Sequence, residues 1–336
     1  MSLPPQPIDS ALVDIVRDFL TAHGQLSRLA ERQRAGVLTF DEVQALVGDG
    51  EGSVLYRLKE RSHALFRDRP GRAHHPIGAE ELFDLAVGSL FHEAMKFREN
   101  FYQRDSYGPK VRTLREQEVP DAAGLLPEFE KILAGTEERL AESLQEAEVL
   151  LGQTSDQFLV MLQAHASNGF ATRFLLESGP LVEQVFGVSL EAVLERIHGS
   201  AAIAYAHAAR SYLASGFFAQ ALDALGVAAS RGEQVEQMQR LASYARGMQA
   251  YLDARYSDAL DSLSEWIEAS PAESEEPFAR LALAAVSRVE QLMGEDASAE
   301  IGPRAAGVAE RIRDCFEGAV RADEEAEGPL SRSAGS

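Results

Sequence analysis

A chain of 336 residues has room for roughly two or three domains, and with 45% hydrophobic and 25% charged residues it is neither fibrous nor disordered throughout. It carries 32 Lys/Arg against 53 Asp/Glu, a net charge of -21, which excludes nucleic-acid binding as a main task because a phosphate backbone would be repelled. Its one cysteine, Cys315, excludes an intramolecular disulfide framework and a cysteine-based zinc finger.

The signals along the chain are helical, and no alternating apolar run of useful length marks a strand, so the expected class is all-α. The first predicted helix covers 8–22, with Leu12, Ile15, Val16 and Phe19 on one stripe and Gly24 as its stop. A short basic helix over 26–34 comes next. Thr39 is placed to cap a helix bearing Phe40, Val43 and Leu46, and Ser53 opens another that runs through Phe66. Residues 70–76 read as a loop.

Residues 80–103 form the most informative predicted helix. Phe83, Val87, Leu90, Ala94, Phe97 and Phe101 recur at spacings of four and three, while Leu82, Phe91, Met95 and Tyr102 widen the apolar surface. Gly108-Pro109 and Pro120 are expected to break the chain after this helix. Residues 128–151 then give a long acidic amphipathic helix, striped by Phe129, Leu133, Leu140, Leu144, Ala147 and Leu151, with the expected role of a connector. After Gly152, Thr154 or Ser155 is expected to cap a helix over 157–167, and shorter helices are expected over 170–176 and 189–197. The expected domains are therefore a helical bundle over 1–115, a connecting helix over 116–154, a helical repeat domain over 155–320 and a disordered tail over 321–336.

The charge is uneven. Residues 1–115 hold 16 basic and 16 acidic side chains, so the whole excess lies in 116–336. Within the neutral part, 57–72 and 96–115 each contain six basic residues. These read as solvated helix faces or as a basic docking surface.

Two segments with a 38-residue offset repeat one pattern. Phe218 and Tyr256, Ala221 and Ala259, and Leu225 and Leu263 correspond. The first unit places Tyr205, Ala209, Tyr212, Gly216, Ala221, Leu225 and Ala228 at intervals that suit two closely crossing helices. The second places Gly247, Ala259, Leu263 and Pro271 likewise, and in the tetratricopeptide-repeat pattern that these positions resemble it departs at Ser243 and Ala250, where aromatics are usual, and at Trp266, where a small residue is expected. Over 201–271 the chain resembles the tetratricopeptide repeat. That resemblance implies a helical-hairpin solenoid after the N-terminal bundle, completed by flanking helices over 156–197, 278–292 and 304–320. It also implies a groove lined by the first helix of each pair, here Ile203, His207, Arg210, Tyr244, Met248 and Tyr251.

Signals for catalysis are weak. Glu60 with His63, and Glu195 with His198, have the Glu-x-x-His spacing used by di-iron bundles. His74-His75 stands in a loop, His92-Glu93 lacks a second histidine four residues on, and Cys315 reads as a buried, inert thiol. No phosphate-binding loop or nucleophile elbow is present. No apolar run reaches the roughly 18–20 residues of a membrane span, and the first ten residues lack the features of a signal peptide, so the expected location is cytoplasmic.

The expectation is a non-enzymatic adaptor or scaffold without cofactor or metal. It would bind a protein or peptide that is basic and has apolar anchors. A ligand-responsive regulator, whose repeats control the N-terminal bundle, and a di-iron bundle enzyme are the alternatives.

Overall fold

The computed structural model describes residues 7–48, 50–66, 77–116, 122–269, 275–295 and 300–316. Among these residues there are fourteen helices and no strand. They fall into two compact units. One comprises Pro7–Ala166 and Glu177–Ile197. The other comprises Ser167–Leu176 and the described residues from His198 onward.

The first unit contains α1 (Pro7–Arg34), α2 (Phe40–Leu46), α3 (Val54–Phe66), α4 (Ala79–Glu116), α5 (Ala122–Ala164), α7 (Gly179–Phe186) and α8 (Leu190–His198, less its last residue). The predicted stripe of α4 is its core face: Phe83, Val87, Leu90, Ala94, Phe97 and Phe101 are all buried. Phe19 of α1 stacks on Phe158 of α5 at 4.0 Å between ring centroids, with Phe83 edge-on at 6.0 Å. The expected second apolar side of α4 is not core, since Leu82 and Tyr102 are exposed. Asp18, buried on α1, accepts from Arg61 at 2.7 Å and lies 3.5 Å from Arg57.

Three expected breaks are absent. The first helix runs through Gly24, whose missing side chain faces Leu181 of α7. Helix α4 runs through Pro109, which costs one backbone hydrogen bond but does not end the helix. Helix α5 runs through Gly152, because Thr154 and Ser155 do not act as caps: their hydroxyls donate back to the carbonyls of Leu150 and Leu151 at 2.7 and 2.8 Å. Other signals hold. Thr39 N–H donates to Glu42 at 3.0 Å and so holds that carboxyl below its usual range. Ser53 Oγ accepts from Tyr56 N–H.

The acidic helix is not a connector. Asn100 meets Arg139, Ala86 meets Thr154 and Glu80 meets His165, so α4 and α5 run antiparallel side by side. The stripe Leu140, Leu144, Ala147 and Leu151 is buried, which is why a heptad-like helix is drawn into the first unit rather than left to bridge two.

The second unit contains α6 (Gly169–Glu177, less its last residue), then α9 (Ala201–Ala214), α10 (Phe218–Ser230), α11 (Val235–Leu252), α12 (Tyr256–Glu268), α13 (Glu276–Glu295) and α14 (Ile301–Cys315). Helices α9 and α10, α11 and α12, and α13 and α14 pack as three pairs. The 38-residue offset is visible in the backbone. Phe217 N–H donates to the Tyr212 carbonyl at 2.9 Å, and Arg255 N–H donates to the Ala250 carbonyl at 2.9 Å. Helix α14 lies beside α12, with Arg304 paired to Asp261 and Arg311 to Glu268. Each partner lies 43 residues earlier, so these two helices run parallel. Pro271 and 321–336 lie outside the described residues.

Candidate functional site

Of the six residues expected to line a groove, two are core. Tyr244 is 0% exposed and Met248 is 1% exposed. The Tyr244 ring lies 5.2 Å from Trp266 of α12, 5.2 Å from Phe278 of α13 and 6.2 Å from Phe218 of α10. Helix α13 covers the face of α11 that a two-helix repeat would leave open. The Tyr244 hydroxyl is buried without a hydrogen-bond partner, and burial pushes its phenol well above the usual range.

Ile203 and His207 of α9 are half-buried, Arg210 is exposed, and Tyr251 of α11 is half-buried beside Tyr256. The start of α6 sits against this stretch of α9. A side chain on Gly169 would come within 2.4 Å of the His207 carbonyl oxygen, so only glycine permits the approach. The His207 ring stands edge-on to His198, with centroids 5.5 Å apart.

An open cleft on this unit lies on the opposite side of α11. A cleft of about 690 Å³ is lined by Glu236, Gln239, Arg240, Ala242, Ser243 and Arg246, with Ala269 from the end of α12. Arg246 donates to Ser243 Oγ at 2.9 Å and stands 3.8 Å from the exposed Glu265. Arg240 is committed elsewhere. Its guanidinium donates to the buried Glu275 at 2.6 Å, and Trp266 Nε1–H donates to the same carboxylate at 2.9 Å. Three helical segments are thus joined through one carboxylate. Periodicity and spacing do not reveal this network. Its one signal in the sequence is Trp266 itself, a large polar-edged residue at a position that suits a small one.

Several of the remaining chemical candidates make ion pairs and hydrogen bonds. Glu60 pairs with Lys59 at 3.0 Å, while His63 stands 3.5 Å from Asp84. Ser62 Oγ donates to the buried Asp84 carboxylate at 2.8 Å, and His63 stands 3.5 Å from the same carboxylate. Among the described residues no group of three or more His, Cys, Asp or Glu side chains is placed to hold a metal ion. His74 and His75 lie outside the described residues. Cys315 is exposed rather than buried, because Ile312 and Phe316 take the inward positions at the end of α14. Many residues of the two basic stretches have internal partners. Arg57 and Arg61 hold Asp18, Lys96 pairs with Glu93 at 2.7 Å and Arg115 pairs with Glu130 at 2.8 Å. Among the described residues no helix is long and apolar enough to cross a membrane.

No protein-family model matches the chain, and neither a curated protein nor a solved structure shows significant similarity to it.

Proposed function

We propose that this chain is a non-enzymatic adaptor whose second unit receives a basic partner protein or peptide on the outer face of α11. The observation that supports this most is the α11 cleft, carried on helical hairpins whose turns repeat at a 38-residue offset. Glu236 in the cleft and Glu265 beside it are exposed carboxylates suited to a basic partner. Ala242 and Ala269 supply a small apolar floor for an anchoring side chain. Ile203, His207, Arg210 and Tyr251 remain contact candidates on the partly open edge of α9 and α11. The proposed location is cytoplasmic.

The test is site-specific cross-linking in the full chain, with a photoreactive residue at Gln239, at Arg210 or at the exposed Asp223 of α10 as control. A partner captured at Gln239 but not at Asp223, and lost on Glu236→Lys, supports the reading. Equal capture at Gln239 and Asp223, or capture insensitive to Glu236→Lys, rejects the cleft.

A further inference from the structure

His198 is the residue at which the chain re-enters the second unit, and its surroundings fix its protonation chemistry. Thr172 of α6 donates its hydroxyl hydrogen to the Asn168 carbonyl at 3.0 Å. Its oxygen therefore has only lone pairs to offer His198 Nε2, 3.3 Å away. The neutral imidazole must carry its hydrogen on Nε2 and donate to Thr172. This leaves Nδ1 as a bare lone pair, and Nδ1 is indeed buried with no hydrogen-bond partner. A proton added there would create a buried N–H without an acceptor and a cation facing the His207 ring.

The groups facing this imidazole are Thr172 from α6 and His207 from α9. On its own helix, Glu195 is exposed, and Arg196 is held by Asp156 at 3.1 Å. None of them is a buried carboxylate that would welcome the charge.

We propose that His198 is a proton-operated latch: neutral, it ties α6 to the start of the second unit, and protonated, it releases α6 from α9. Burial, and then the charge of His207, lower its pKa from 6.5 to about 4. Above about pH 6.5 the ring is neutral in the closed and open states, and acid has no leverage. Between about 6.5 and 4 the open state holds a proton that the closed state lacks. Each unit of acidification then favours opening by up to about tenfold. Below about 4 both states are protonated and the effect ends.

The experiment is hydrogen exchange of the full chain, read on peptides from α6 and α9 and corrected for the intrinsic pH dependence. We expect opening of α6 to rise by up to about tenfold per unit from pH 6.5 to 5. In His198→Gln, which keeps a donor toward Thr172 but cannot be protonated, this rise should vanish, while His207→Gln should weaken it. Identical pH profiles for the wild type and His198→Gln would overturn the latch. If His198→Gln does not fold, NMR titration of the wild-type His198 Cε1–H decides. A midpoint well below 6.5, with α6 opening over the same range, supports the proposal. A midpoint at or above 6.5 overturns it.

Discussion

Gly216 and Ala254 stand 38 residues apart and close the same turn with the same backbone twist, at φ +78° and +59°. The N–H of each donates to the carbonyl three residues back at 3.1 Å, and the next residue in each turn has matching angles, φ −91° and ψ 68° at Phe217 against φ −89° and ψ 68° at Arg255. Glycine takes this left-handed conformation without strain, whereas alanine pays for its Cβ by about 1–2 kcal/mol.

Ala254→Gly is therefore expected to stabilise the second unit by about 0.5–1 kcal/mol once the extra freedom of glycine in the unfolded chain is subtracted. Gly216→Ala should destabilise it by a similar amount, and Gly216→Leu by more, through backbone strain. The chain's one tryptophan, Trp266, is buried in this unit and reports its unfolding by fluorescence. A loss of stability in Ala254→Gly would contradict the turn assignment.

Tyr244 separates the effect of ring from that of hydroxyl. Removing the ring in Tyr244→Ala should cost about 3–5 kcal/mol, as for other buried aromatics. Tyr244→Phe removes only the unpartnered hydroxyl and should be neutral, or stabilising by about 1 kcal/mol. Denaturant titration of the two variants checks this. A Tyr244→Phe loss above about 2 kcal/mol would mean that the hydroxyl has a partner in solution.

Breaking the Arg240–Glu275 pair should be among the most damaging single changes in the second unit. The Glu275 side chain is 3% exposed and that of Arg240 is 14%, so either partner left alone is a largely buried charge. Arg240→Ala or Glu275→Ala is expected to cost about 3–5 kcal/mol, while replacing both with Met and Leu should restore most of it. Glu275→Ala should also shift Trp266 emission, since the indole loses its acceptor. Single losses below about 1 kcal/mol would show that the pair is solvated.

Gly247→Ala tests the crossing of α11 and α12. A Cβ there would lie 2.7 Å from Leu263 Cγ and 3.2 Å from the Ala259 carbonyl oxygen. The expected cost is about 1–3 kcal/mol, with partial rescue by Leu263→Ala in the double mutant. Absence of rescue would place the clash on the Ala259 backbone instead.

Much of the fold is legible from local pattern. The α4 stripe from Phe83 to Phe101, the Thr39 and Ser53 starts and the 38-residue offset all rest on residues close in sequence. Several departures concern what arrives from elsewhere in the chain. Gly24 reads as a helix stop until Leu181 packs against it. Tyr244 reads as groove-lining because the repeat resemblance places it on the first helix of a pair but cannot say what covers that helix. Here the cover is Phe278, supplied by a helix 34 residues later. The cleft on α11 is illegible because its lining is mixed polar residues without a period.

The antiparallel pairing of α4 and α5 has a mechanical consequence. Helices of 38 and 43 residues are about 57 and 64 Å long at 1.5 Å per residue. Near the first unit's core, Arg104 still donates to Gln33 of α1, but farther out Arg115 meets Glu130 and Tyr107 meets Phe129, which are contacts of the pair with itself. Opening can therefore begin at the end of the pair formed by Glu116 and Ala122 and advance turn by turn, each turn releasing a few contacts, as a zipper does. Protection from exchange should accordingly climb in steps from Arg115 toward Phe83, a graded response along one helix pair.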